Sequence, residues 1–275
     1  MEMIMMIRLN CVDSFPEVMK KTVFDNLSLV KAYDATFDPS KSFEDNIQCF
    51  DSQLLSYSQD GVCAIAEQLI SAAGKCWIEG FHITRLVSPN EILEHGIQIL
   101  DWESYRARIE SVLSTYTCLS YIEKECVLAR IFEYYRDKGI GRYKHLSFFA
   151  PASNYVLYEY LNEGFAHLYG QSIGGELLNC SLRYYKEYCP LIETLSNIGN
   201  KYLIRFQFQM QDLFRDCCDW DYTLFAHTLA FAVLYYRDYK SLPYDCFFAS
   251  HLRQPVPSQN ILSIDSLPLE MDASY

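Results

Sequence analysis

No Cys-x-x-Cys pair, no run of Lys and Arg, and no uninterrupted apolar stretch of membrane-spanning length occurs in these 275 residues. Each absence removes a class of function. Without that spacing or a Cys and His cluster, the eleven cysteines (11, 49, 63, 76, 118, 126, 180, 189, 217, 218 and 246) point to no zinc site. Their odd number and their scatter through apolar segments argue against a disulfide framework, and they are expected to be reduced thiols of an intracellular, cytoplasmic protein. The missing apolar run predicts no membrane association through a helical span. The opening Met-Glu-Met-Ile-Met-Met-Ile-Arg is apolar but brief, with no basic flank and no small-residue cleavage site, which predicts no signal peptide. The lack of a basic run matters most, because 35 acidic residues against 23 basic ones give a formal charge of -12. A polyanion meets net repulsion at such a surface, so nucleic acid is a disfavoured partner. A nucleotide-sized ligand held by a few convergent groups stays open.

What is present suits a full core. Half of the residues are hydrophobic, enough for one large domain or two small ones. The 22 Tyr and 17 Phe supply flat walls as well as bulk. Residues 1 to 60 read as an irregular extension or lid, with a polar, acidic stretch around Asp34 to Asp51. Val62, Ile65, Ala66, Leu69, Ile70 and Ala73 then recur at helical spacing, closed by Gly74. Residues 101 to 119 and 121 to 137 read as two helices of a separate layer, and 202 to 210 as the cleanest strand. There Ile204, Phe206, Phe208 and Met210 face one way, and Arg205, Gln207 and Gln209 the other. Residues 242 to 264 read as two short strands around a turn stiffened by Pro255 and Pro257, at a sheet edge. The final eleven residues, 265 to 275, read as a loose tail.

The segment Phe81 to Ile97 carries the most information. An apolar strand from Cys76 to Leu86 bears His82 and Thr84, a Ser88-Pro89 turn starts a helix of one or two turns, and Gly96 ends it. Side chains two apart on a strand point the same way, so His82 and Thr84 can meet one ligand together. The alternative is a buried strand whose His is satisfied by backbone. A second strand-like run, Lys144 to Ala150, leads through Ser153, a candidate N-cap where a phosphate could sit, into a helix bearing Tyr155 and Tyr158. Four glycines between 164 and 175 indicate close backbone turns before Glu176. Cys217 and Cys218 have no activating base nearby in sequence and read as buried thiols. His145 and His167 fall in no catalytic pattern.

Phe81-His82-Ile83-Thr84-Arg85, followed by Ile92, Leu93, Gly96 and Ile97, resembles the opening nicotinamide-binding strand and helix of ADP-ribosyltransferase-like proteins, most of all the DNA-modifying bacterial toxins and their uncharacterised bacterial relatives. Leu146-Ser147-Phe148-Phe149-Ala150 with Ser153 and Tyr155 is similar to the second element of that superfamily, Gly174-Gly175-Glu176 to a turn in some relatives, and Val256 to Leu262 to their closing segment. The resemblance covers residues 76 to 264 loosely and treats 1 to 275 as one such domain. It implies an α+β fold in which small mixed or antiparallel sheets form a split nucleotide-binding cleft, with added helices. It further implies NAD as substrate, with His82, Thr84, Arg85, Ser147, Ser153 and Tyr155 binding it. Glu176, with His82, would be catalytic, Asp245 being a weaker alternative acid. The activity implied is ADP-ribosyl transfer to a macromolecule, a protein rather than a nucleic acid given the charge, or NAD hydrolysis, in a bacterial or phage toxin or conflict effector. The strand at 204 to 210 departs from the family pattern, because it carries no acid. A catalytically inactive binding or sensor protein of the same fold is the alternative that this departure leaves standing.

Overall fold

In a computed structural model of the chain, the described residues are 6–26, 68–99, 101–137, 146–150, 181–213 and 248–267, less a few positions within them, together with single positions between 28 and 49. They form strands β1 (Met6–Ile7), β2 (Trp77–Leu86), β3 (Leu146–Ala150), β4 (Asn200–Phe208), β5 (Phe248–Leu252) and β6 (Ile261–Ser266). The helices are α1 (Glu17–Asp25), α2 (Asn90–His95), α3 (Trp102–Tyr116), α4 (Tyr121–Asp137) and α5 (Cys189–Ser196). All six strands belong to one open sheet of order β5-β3-β2-β4-β6, with β1 also on β2. The β1 pairing is parallel, whereas β2 with β3 and β4 with β6 are antiparallel. The class is therefore α+β with one small mixed sheet, where the sequence suggested several. No helix of the described residues is long and apolar enough to cross a membrane.

The chain divides into two compact units, and the division passes through the strands. The first comprises Met1–Phe81, Phe148–Leu157 and Gln207–His251. In it, Met6 and Ile7 pair with Trp77 and Ile78. Arg8 and Glu79 form an ion pair at 3.5 Å beside that register. Helix α1 buries Met19 fully while Val18 and Phe24 stay exposed, and Phe15 is buried just ahead of it. Strand β1 and helix α1 thus give order to a region whose sequence reads as irregular. Their apolar anchors are isolated side chains, too few to show a period. Phe148 of β3 meets Phe208 of β4 edge-on with ring centroids 4.7 Å apart.

The second unit comprises His82–Ser147, Tyr158–Phe206 and Leu252–Tyr275. Its helices form their own core: Ile109 and Leu113 of α3, Leu128 and Ile131 of α4, and Leu191 and Leu195 of α5 are all buried in one cluster. The start of α3 is set by Asp101, whose side chain accepts the Ser104 N–H at 3.1 Å. A reciprocal box starts α4: the Ser120 N–H donates to Glu123 Oε2 at 2.7 Å, and the Glu123 N–H donates to Ser120 Oγ at 3.4 Å. Arg106 pairs with Glu110 of its own helix at 2.7 Å and ties α3 to α4 through Glu125 at 3.3 Å. Strand β4 alternates as its sequence indicates, with Ile204, Phe206 and Phe208 buried and Arg205 and Gln207 half-buried. Strand β6 extends two residues into the expected tail, because Asp265 and Ser266 pair with Leu203 and Tyr202. The described part of the helix expected before Gly74, residues 68, 69 and 71–73, is helical.

Tyr105 lies inside the helical core, and burial raises its phenol well above the ordinary value of 10. The folded chain therefore keeps a proton that the unfolded chain gives up at alkaline pH. The stability linked to this group is complete below pH 10 and falls as the pH rises beyond it. Tyr105→Phe removes the ionisable group, so its alkaline unfolding midpoint, followed by circular dichroism, is expected at higher pH than the wild type's. An unchanged midpoint would show that other groups control alkaline unfolding.

Candidate functional site

Strand β2 is half-buried at its start, and from Gly80 to Leu86 every residue is buried. Strict alternation still decides where its side chains go. His82 and Thr84 line one concave site of about 470 Å³, with Leu86 as the third member of that face. This volume falls within the range of small-molecule sites, ~300–1,000 Å³. Both polar side chains are close to buried, His82 at 9% and Thr84 at 4% exposure.

Another part of the lining comes from α2. Pro89 starts the helix in a helical conformation, and its carbonyl accepts the N–H groups of Ile92 and Leu93 at 3.1 and 3.2 Å. Ser88 Oγ accepts the Asn90 N–H at 3.3 Å. The helix ends when the Gly96 N–H donates to the Ile92 carbonyl at 2.8 Å. Within it, Glu91, Glu94 and His95 stand at i, i+3 and i+4, so they share a face, and all three line the cavity. Arg108 of α3 closes the lining and lies 3.2 Å from Glu91. The Glu94 and His95 side chains, about two-thirds exposed, stand 3.8 Å apart. Two carboxylates, two imidazoles and one guanidinium therefore share a single pocket.

Gly96 fixes the end of α2 against a distant segment. Its φ of 70° and ψ of -167° fall in a region that essentially glycine alone adopts. A Cβ there would sit 2.0 Å from the Val256 carbonyl oxygen. The next residue, Ile97, exchanges two backbone hydrogen bonds with Val256, at 2.9 and 3.0 Å. Val256 is buried, and Pro255 and Pro257 stand on either side of that pairing.

The residues singled out from sequence separate into three groups. His82 and Thr84 come together as their spacing indicates. Arg85 is buried but does not line the cavity, since the period of two turns it to the other face of β2, where burial lowers the pKa of its guanidinium. Ser147 lies on β3, and nothing is described of its side chain. Ser153, Tyr155, Tyr158, Glu176 and Asp245 lie outside the described residues, as do His145, His167, Cys217 and Cys218. Four ionisable lining residues escaped sequence reasoning. Glu91, Glu94 and His95 carried a usable signal, their common helical face beside the His82 strand. Arg108 carried none, because it comes from another helix. Among the described residues no cluster of His, Cys, Asp or Glu could hold a metal ion. Comparisons of the chain with protein-family models, curated proteins and solved structures return no match.

Proposed function

We propose that the cavity between β2 and α2 belongs to a split nucleotide-binding cleft that takes NAD, and that the chain is an ADP-ribosyltransferase-like protein. It transfers ADP-ribose to a macromolecular target or hydrolyses NAD, as a cytoplasmic toxin or conflict effector of a bacterium or phage. One observation carries this reading: His82 and Thr84 of the motif Phe81 to Arg85 open into the same cavity as two carboxylates and a guanidinium. Cleavage of the bond between nicotinamide and ribose needs the ribose oriented and the positive charge that develops on it opposed. His82 and Thr84 offer hydrogen bonds for orientation. Glu176 is the family-derived acid, and Glu91 and Glu94 add negative potential from the cavity wall. The net charge of -12 favours a protein over a nucleic acid as acceptor.

The experiment is a calorimetric titration with NAD. The wild type is expected to bind, and His82→Ala to weaken binding about tenfold or more by removing one charge-assisted or neutral hydrogen bond and its wall. A wild type that binds no NAD would overturn the proposal. A second reading, an inactive binding or sensor protein of the same fold, is favoured by the absence of any acid from β4. Nicotinamide release decides between the two: the enzyme releases it and Glu176→Gln stops the release while the fold persists, whereas the sensor binds NAD and releases none.

A further inference from the structure

We infer that Arg108 is the anion-recognising group of this cavity, and that Glu91 occupies it until a phosphate-bearing ligand displaces the carboxylate. The inference rests on the NAD reading for its ligand but on different residues for its geometry. Arg108 is the one guanidinium among the lining residues, and its Nη2 lies 3.2 Å from Glu91 Oε1. The two side chains are 31% and 39% exposed, so solvent screens the pair and it contributes little to the stability of the fold. An ion pair this weak is open to competition. A pyrophosphate presents several charged oxygens to the planar fork of a guanidinium, against the single carboxylate of Glu91.

Charge gives the second argument. Setting the imidazoles aside, the lining holds two carboxylates, Glu91 and Glu94, against one guanidinium, on a chain of net charge -12. With Glu91 seated on Arg108, the pocket offers an approaching anion no free guanidinium, and the Glu94 carboxylate stands in the same lining. With Glu91 swung away, Arg108 becomes a local positive site. Glu91 lies in the first turn of the six-residue α2, so a change of rotamer suffices and the helix itself need not move. The latch therefore selects ligands whose phosphate charge can outcompete a carboxylate.

The test titrates wild type, Glu91→Gln and Arg108→Gln with NAD, nicotinamide riboside and inorganic pyrophosphate. Glu91→Gln removes the competitor, and NAD and pyrophosphate are expected to bind about three- to tenfold more tightly, with nicotinamide riboside unchanged. Arg108→Gln is expected to weaken NAD and pyrophosphate at least tenfold and again to leave the riboside unchanged. Should Arg108→Gln unfold early in a thermal melt, Glu91→Gln decides alone. If NAD binds the wild type but Glu91→Gln leaves NAD and pyrophosphate as they were, or shifts riboside equally, the latch is refuted and the NAD reading stands. If pyrophosphate binds and responds to both substitutions while NAD does not bind, the latch holds and the NAD reading fails. If neither NAD nor pyrophosphate binds, both are overturned.

Discussion

Gly96→Ala is expected to lower the stability of the protein by about 4 kcal/mol, at the upper end of single-substitution effects. Two independent penalties combine there. The backbone sits at φ 70° and ψ -167°, where a residue with a Cβ is strained by ~1–3 kcal/mol. The added methyl would also lie 2.0 Å from the Val256 carbonyl oxygen and 2.9 Å from both the Pro257 carbonyl carbon and the Ser258 nitrogen. All three are backbone atoms, so no flexible side chain can swing aside. Relief requires the 256–258 segment to withdraw, which would sacrifice the paired hydrogen bonds between Ile97 and Val256. Urea unfolding of wild type and variant measures the effect through the shift in midpoint. A variant within about 1 kcal/mol of wild type would mean that the close approach is not a feature of the folded protein.

Phe148→Ala comes next in size. Phe148 is fully buried on β3, and its ring meets Phe208 edge-on at 4.7 Å. Truncation of a buried phenylalanine costs ~3–5 kcal/mol through lost transfer energy and the cavity left behind, and the aromatic pair adds to that. The expected loss is about 4 kcal/mol. Tyr121→Ala, at the start of α4 and 77% exposed, serves as the contrast, with an expected change within about 0.5 kcal/mol. Equal effects from the two substitutions in urea unfolding would contradict the placement of Phe148 in the core.

These two positions also show how much of the molecule is legible in its sequence. Helices α3 and α4 and strand β4 follow from periodicity, because each buries one repetitive face long enough to leave a pattern, and β2, buried on both faces from Gly80 on, follows from its apolar run. Gly96 as the stop of α2 follows from the local signal of a glycine after a single helical run. What no local pattern contains is the reason the stop must be a glycine: the backbone of residues 256–258 presses against it from far along the chain. The site divides in the same manner. His82 and Thr84 share a strand face and are readable as a pair, and the Glu91, Glu94 and His95 face needed only helical spacing to be seen. Arg108 reaches the cavity from α3, where its ion pair with Glu91 joins two different helices, a fact of tertiary structure. Arg85 illustrates the converse, a polar residue inside the motif that the pleat of the strand sends away from the cavity.

The bridge between Ile97 and Val256 has a consequence for biosynthesis. Gly96 and Ile97 line the cavity, yet the partner that holds their backbone in place lies about 160 residues further along the chain. During synthesis the chain therefore carries His82, Thr84 and α2 outside the ribosome long before Val256 emerges to lock them. Whatever the cavity binds, it can meet a finished wall only once Val256 has left the ribosome.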